Sequence, residues 1–194
     1  MNDNMKYFKE LNFQAFPKML PELYTLINNG TLEWGSHNQV CLNSTQEKPT
    51  DYKLGTASLD YDWDNKEIIV ENGITRIVVP KKAVPLKDSD FTILCDQFKN
   101  TVFEDVYNML SNNFKIGRIR LMRLEPKTCL SWHVDHTARI HYPLTTQEGC
   151  HMVIDNEVIH LPQDTWWTTD TTKLHTAFNA SKESRIHLVA CLVD

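Results

Sequence analysis

The sequence predicts an α+β fold that is mainly β: a sandwich, barrel or jelly roll with helices ahead of it. Three observations carry this. After Lys115, eight short β-type runs follow at roughly ten-residue spacing: GRIRLMRL, TCLSWHV, RIHYPL, CHMVI, EVIHL, TWWTT, LHTAF and RIHLVACLV. Turn residues separate many of them, including Glu125-Pro126, Gln147-Glu148-Gly149, Asp155-Asn156 and Pro162-Gln163-Asp164. Before Lys115, two stretches carry apolar residues at three- and four-residue steps, the pattern of half-buried helices.

Taken in order, residues 17–29, PKMLPELYTLINN, predict a first helix with Leu20, Leu23, Leu26 and Ile27 on one face and Gly30 as its stop. Residues 35–66 are polar and punctuated, which suits loops with short strands. EIIV (67–70) and TRIVV (75–79) flank Glu71-Asn72-Gly73, a hairpin signal. Phe91, Leu94, Phe98, Val102, Val106 and Leu110 predict a second helix over 91–112, capped by Asp88-Ser89-Asp90. We expect one domain over 1–194, with 1–116 as a helical and strand support and 117–194 as the core barrel strands.

Composition narrows the class. The chain has 194 residues, 41% of them hydrophobic and 23% charged, enough to bury a core. No apolar run reaches the ~18 residues of a membrane span. The N-terminus lacks a secretory pattern, so a cytoplasmic location is expected. A net charge of -5 argues against a nucleic-acid partner. The local basic stretch Lys115, Arg118, Arg120, Arg123 and Lys127 reads as a charged strand face or rim. Strand parity leaves open which of its arginines point inward and whether one meets a substrate carboxylate. The odd count of five cysteines, without a CxxC, argues against a disulfide framework and favours buried free thiols.

The stretch SWHVDHTARIHYPLTT (131–146) concentrates ligand-type side chains. In a strand, His133 and Asp135 point to one side. His175, forty residues beyond Asp135, is the best third ligand. Two imidazoles and one carboxylate form the facial triad of non-haem Fe(II) oxygenases, with three metal positions left for substrates. Arg185 lies ten residues after His175 and suits bidentate capture of a carboxylate. Arg139 and His141 form a second same-face pair able to hold the other end of a dicarboxylic acid. His136 should point away from Asp135. His151, His160 and His187 read as barrel histidines, Trp132, Trp166 and Trp167 as barrel packing, and His37 as loop or substrate mouth.

His133-x-Asp135, the gap to His175 and Arg185 beyond it resemble the Fe(II)/2-oxoglutarate-dependent oxygenases. Arg139-x-His141-x-Pro143-Leu144, then Gly149, then LHTAFNASKESRIHLVACLVD, is similar to the aspartyl/asparaginyl β-hydroxylase family, over roughly residues 117–194. The resemblance implies a double-stranded β-helix, a cupin-like jelly roll. It implies His133, Asp135 and His175 as iron ligands, Arg185 on the distal carboxylate of 2-oxoglutarate, and Arg139 and His141 near its 1-carboxylate. Fe(II), 2-oxoglutarate and O2 are then the expected cofactor and co-substrates. The implied reaction hydroxylates an amino acid, or an Asp/Asn-type side chain in a peptide, and yields succinate and carbon dioxide. The alternative is a non-catalytic cupin-type module that binds metal and small acids. A zinc hydrolase on the same ligands is more remote, since no general base accompanies them.

Overall fold

The computed structural model describes residues 5–62 and 65–193. The chain runs β1 (Phe8–Leu11), α1 (Met19–Asn28), β2 (Gln39–Cys41), β3 (Asn43–Ser44), β4 (Glu67–Glu71), β5 (Ile74–Val78), β6 (Ile93–Leu94) and α2 (Val102–Asn113). Eight strands follow: β7 (Ile116–Leu124), β8 (Thr128–Cys129), β9 (Arg139–Thr145), β10 (Cys150–Ile154), β11 (Glu157–Ile159), β12 (Trp166–Thr169), β13 (His175–Asn179) and β14 (Arg185–Leu192).

These last eight build a double-stranded β-helix. One sheet is ordered β1-β12-β9-β14-β7-β2 and the other β11-β10-β13-β8. The barrel strands cross from one sheet to the other, every pair between them is antiparallel, and β14 lies between β7 and β9. β1 and β2 extend the larger sheet at its two edges.

The alternation of each long strand divides the larger sheet into two unlike faces. Ile119 and Leu121, Ile140, Tyr142 and Leu144, and Ile186, Leu188 and Ala190 point outward into the main hydrophobic core. Met19, Leu23 and Leu26 of α1 and Phe103, Val106 and Leu110 of α2 cover them. The Tyr142 hydroxyl ties this layer together, donating to Asp164 Oδ1 (2.7 Å) and accepting from Phe16 N (2.7 Å). The opposite face carries Arg118, Arg120, Arg139, His141, Arg185 and His187, all buried. A smaller apolar cluster, with Phe8, Met152, Ile154 and Ala177 and with Trp167 against it, closes one flank between the sheets.

Most sequence expectations have direct counterparts. The eight β-type runs are β7–β14, and α1 falls within 17–29 with Gly30 at φ 79° just beyond it. The hairpin β4–β5 turns on Asn72-Gly73, both left-handed (φ 52° and 76°), as a two-residue type I′ connection requires. Among the described residues its strands pair only with each other, and Ile68, Val70, Ile74 and Ile77 are exposed.

Three expectations need correction. α2 begins at Val102, not Phe91; Thr101 caps it by accepting from Phe103 N (3.1 Å). Phe91, Leu94 and Phe98 are buried as expected, but on a turn, on β6 and on a second short turn. A short strand between tight turns reproduces the helical spacing of apolar residues. The run 128–134 is a strand only at Thr128–Cys129. Trp132, expected to pack the barrel, is 54% exposed.

Asn43 fastens the barrel to the segment ahead of α2. Its Nδ2 donates to Phe91 O (2.6 Å) and Gly117 O (2.9 Å), and its Oδ1 accepts from Ile119 N (2.8 Å), all buried. Asn43→Ala strands these three backbone groups. With roughly 1–3 kcal/mol for each buried unsatisfied group, and incomplete additivity, we expect a loss of about 3 kcal/mol. The check is a lower urea midpoint at unchanged m.

Candidate metal centre and its polar surround

Residues 131–137 form no regular strand, yet they are pegged in place. His133 pairs with His175 through two backbone hydrogen bonds, N to O at 3.0 and 2.9 Å. Asp135 N donates to Thr171 O (2.9 Å), and Thr171 Oγ1 donates to Thr137 O (2.9 Å). β13 thus carries His175 and holds His133 beside it. The two imidazole centroids are 4.2 Å apart.

One donor atom from each of His133, Asp135 and His175 lies within 4.8 Å of the others. His133 Nδ1 faces Ser131 O at 2.7 Å, and His175 Nδ1 faces Lys173 O at 2.9 Å. With Nδ1–H donated to a carbonyl, each ring keeps Nε2 as its free lone pair, the tautomer a metal ligand needs. Burial holds the His175 pKa below its ordinary value, so the imidazole is neutral at neutral pH. For Asp135, burial pushes the pKa up, but Arg139 outweighs it and keeps the carboxyl ionised below the usual range. The donor set fits a divalent transition metal.

Behind these three side chains runs a chain of alternating charge. Arg139 Nε donates to Asp135 Oδ2 (3.1 Å), and its Nη1 to Asp88 Oδ2 (3.2 Å) and Thr137 Oγ1 (2.7 Å). Asp88 Oδ1 accepts from Arg118 Nε (2.9 Å). Arg118 Nη1 ends the chain on the carbonyls of Gly55 (2.6 Å) and Ala57 (3.0 Å). Gly117 permits this approach: a Cβ there would collide with the Asp88 carbonyl.

Farther along the same face, Arg185 Nε donates to His187 Nε2 (2.9 Å), and His187 Nδ1 is 3.5 Å from His141 Nδ1. His141 Nε2 is buried without a hydrogen-bond partner. Burial, then the charge of Arg185, keeps the pKa of both histidines far below the ordinary value. Among the described residues no carboxylate pairs with Arg185. Burial lowers its pKa to about 10.

The structure therefore brings His133, Asp135, His175, Arg139, His141, His187 and Arg185 to one side of the larger sheet. His136 is exposed, 3.5 Å from the Asp60 carboxylate, and His37 lies in the turn before β2. The basic stretch divides: Arg118 and Arg120 are buried on the inner strand face, Lys115 and Lys127 are exposed, and Arg123 sits outside with Glu125 (2.8 Å) and over the Trp34 ring. Asp88, read as a helix cap, is instead the bridge between two guanidiniums. Ile119 and Leu121 do alternate with Arg118 and Arg120, but the side the helices would cover could not be read from that alternation.

The sequence model of the aspartyl/asparaginyl beta-hydroxylases matches residues 46–193, well over half of the chain. The chain belongs to the aspartyl/asparaginyl beta-hydroxylase family. In this family member the match takes in Asp88 and every residue of the candidate centre. No curated protein matches its sequence. Solved structures resemble it distantly. AviO1 from Streptomyces viridochromogenes Tue57 has a TM-score of 0.46 and 16% identity, covering 97% of this chain and 90% of its own. An oxidoreductase of the 2OG-Fe(II) oxygenase family from Burkholderia pseudomallei has a TM-score of 0.43 and 13% identity, with 94% of each chain covered. AerE from Microcystis aeruginosa has a TM-score of 0.36 and 16% identity; the match takes 40% of this hydroxylase-family chain and spans 36% of AerE.

Burial raises the pKa of Asp88, but Arg118 and then Arg139 override it and hold the carboxyl below its ordinary value. The stabilisation is therefore complete above the unfolded pKa near 4 and lost as pH falls through the lower folded value. Asp88→Asn leaves two buried cations short of their acid and is expected to cost about 3 kcal/mol at pH 7. Denaturant curves should show wild type and variant converging below about pH 4. A difference independent of pH would deny the carboxylate this role.

Proposed function

We propose that the protein is a non-haem Fe(II)- and 2-oxoglutarate-dependent dioxygenase acting in the cytoplasm. It hydroxylates an amino acid, or an Asp/Asn-type side chain in a peptide, with succinate and carbon dioxide as co-products. Neither nucleic acid nor a membrane is a partner in this reading. One juxtaposition carries it: two oriented imidazoles and a carboxylate share the inside of the barrel with a buried guanidinium that, among the described residues, has no carboxylate partner.

His133 Nε2, His175 Nε2 and Asp135 would hold Fe(II). The bound metal supplies the oxidising chemistry, drawing on O2 and 2-oxoglutarate. Arg185 anchors the distal carboxylate of the co-substrate, and its loss of hydration on burial makes that anion more welcome than it would be at a surface. In this reading His141, through its unpartnered Nε2, and Arg139 flank the 1-carboxylate. Arg139 also fixes the direction of the Asp135 carboxylate. Exposed Trp132, Val134 and Leu174, each next to a ligand in sequence, give the mouth an apolar rim.

The test is succinate production from 2-oxoglutarate with Fe(II), ascorbate and a panel of amino acids and peptides. His175→Ala should abolish iron binding and turnover together. Arg185→Ala should weaken 2-oxoglutarate binding about 100-fold and leave iron in place. Metal uptake without binding or decarboxylation of 2-oxoglutarate would favour the non-catalytic module. Equal loss of metal in both variants would undo the assignment of Arg185.

A further inference from the structure

The Asp135 carboxylate has two neighbours that compete for one oxygen. Its Oδ2 accepts from Arg139 Nε (3.1 Å) and lies 3.6 Å from His175 Nε2. The oxygen that Arg139 grips is thus the one that faces the free lone pair of an imidazole. An ionised carboxylate oxygen has two lone pairs, so a single N–H leaves one over. A guanidinium free to turn would do otherwise, because its favoured pairing puts one N–H on each carboxylate oxygen. Arg139 is not free to turn. Its Nη1 is held by Asp88 Oδ2 (3.2 Å) and Thr137 Oγ1 (2.7 Å), and its side chain is buried.

Asp88 is itself fixed from behind. It lies in the turn Asp88–Asp90, between β5 and β6, and its other oxygen accepts from Arg118 Nε (2.9 Å). Arg118 is anchored in turn on the carbonyls of Gly55 and Ala57, so Asp88 does not follow Arg139 if Arg139 moves. Charge points the same way as geometry. Arg118, Arg120 and Arg139 act on this corner, against Asp88 and Asp135. A divalent ion brings two more positive charges to it. Without Asp88 that ion would join three guanidiniums with one carboxylate between them, and at this burial water screens little of the repulsion.

We propose that Asp88 is a positioning residue for the metal: it holds Arg139 to one hydrogen bond on Asp135, balances its charge, and thereby sets the affinity of the centre for a divalent ion. The inference rests on the metal centre of the oxygenase reading and adds to it a control residue from outside the barrel strands. It carries a sign. Arg118, on the far side of Asp88, draws on the same negative charge and so works against the metal. Removal of Asp88 should weaken metal binding, whereas removal of the Arg118 charge should not, although each change breaks the same buried ion pair. A purely structural role for the pair would make both changes act alike.

The experiment measures Zn(II) and Co(II) binding to the full chain at pH 7 by competition with a chelating dye, without co-substrate or turnover. Circular dichroism establishes that each variant is folded under the conditions used. Asp88→Asn should raise the metal Kd about 30-fold. Asp88→Glu, which keeps the charge on a longer side chain, should recover part of that loss. Arg118→Gln should bind metal as tightly as wild type or up to about threefold more tightly. Leu23→Ala, which removes comparable stability in the helix layer on the far face of the sheet, should leave Kd unchanged. A readout on the unaltered chain needs no folded Asp88 or Arg118 variant. The Arg139 Nε–H NMR resonance, assigned by its absence in Arg139→Lys, should persist when Zn(II) is bound. Equal Kd in wild type and Asp88→Asn, parallel losses in Asp88→Asn and Arg118→Gln, a comparable loss in Leu23→Ala, or disappearance of the Arg139 resonance on metal loading would each overturn the inference. A wild-type chain that takes up neither ion fails at an earlier step, and that result removes the metal centre and the oxygenase reading with it.

Discussion

The carboxylate of Asp88, gripped from two sides by Arg118 and Arg139, is the interaction on which the interior depends. Without it, two guanidiniums would share a buried face at the cost of mutual repulsion and lost hydration. With it, charge alternates from Arg118 through Asp88 and Arg139 to Asp135, and the last member is a candidate metal ligand. The direction of a donor oxygen is thus set by a residue outside the barrel strands, in a turn that reaches the sheet because Gly117 has no side chain.

The larger sheet separates stability from chemistry by face. Its outward side chains pack under α1 and α2 and supply the apolar burial that offsets chain entropy. Its inward side chains include four buried arginines and two buried histidines. Among the described residues, Arg118, Arg120, Arg139 and Arg185 stand against Asp88 and Asp135 alone, so this interior carries an excess of positive charge. Four cations facing two acids do little for packing and much for attracting a small polyanion.

The strands were legible because period-two alternation and turn residues act locally, and each β-type run from GRIRLMRL to RIHLVACLV has its strand. The meeting of His133 and Asp135 with His175 was legible from residue type and spacing. What the sequence hid is tertiary. Asp88 looks like a helix cap until Arg118 and Arg139 are seen to converge on it. Phe91, Leu94 and Phe98 satisfy a helical spacing that a strand and turns satisfy equally. Arg118 and Arg120 alternate with apolar neighbours, but only the docking of α1 and α2 decides which side is inside. The direction of His133 and Asp135 comes from one bridge to His175 and a bond to Thr171, since regular strand pairing ends at Cys129.

The hairpin β4–β5 stands apart from both faces of this arrangement. Its backbone pairs within itself, its base is joined at the Tyr61–Lys81 bridge, and its isoleucines and valines bury little. A two-stranded ribbon with so little support is marginal on its own. It can therefore unzip without the barrel unfolding, and its amide protons exchange with solvent on the timescale of that private opening while those of β9 and β14 wait for the whole molecule.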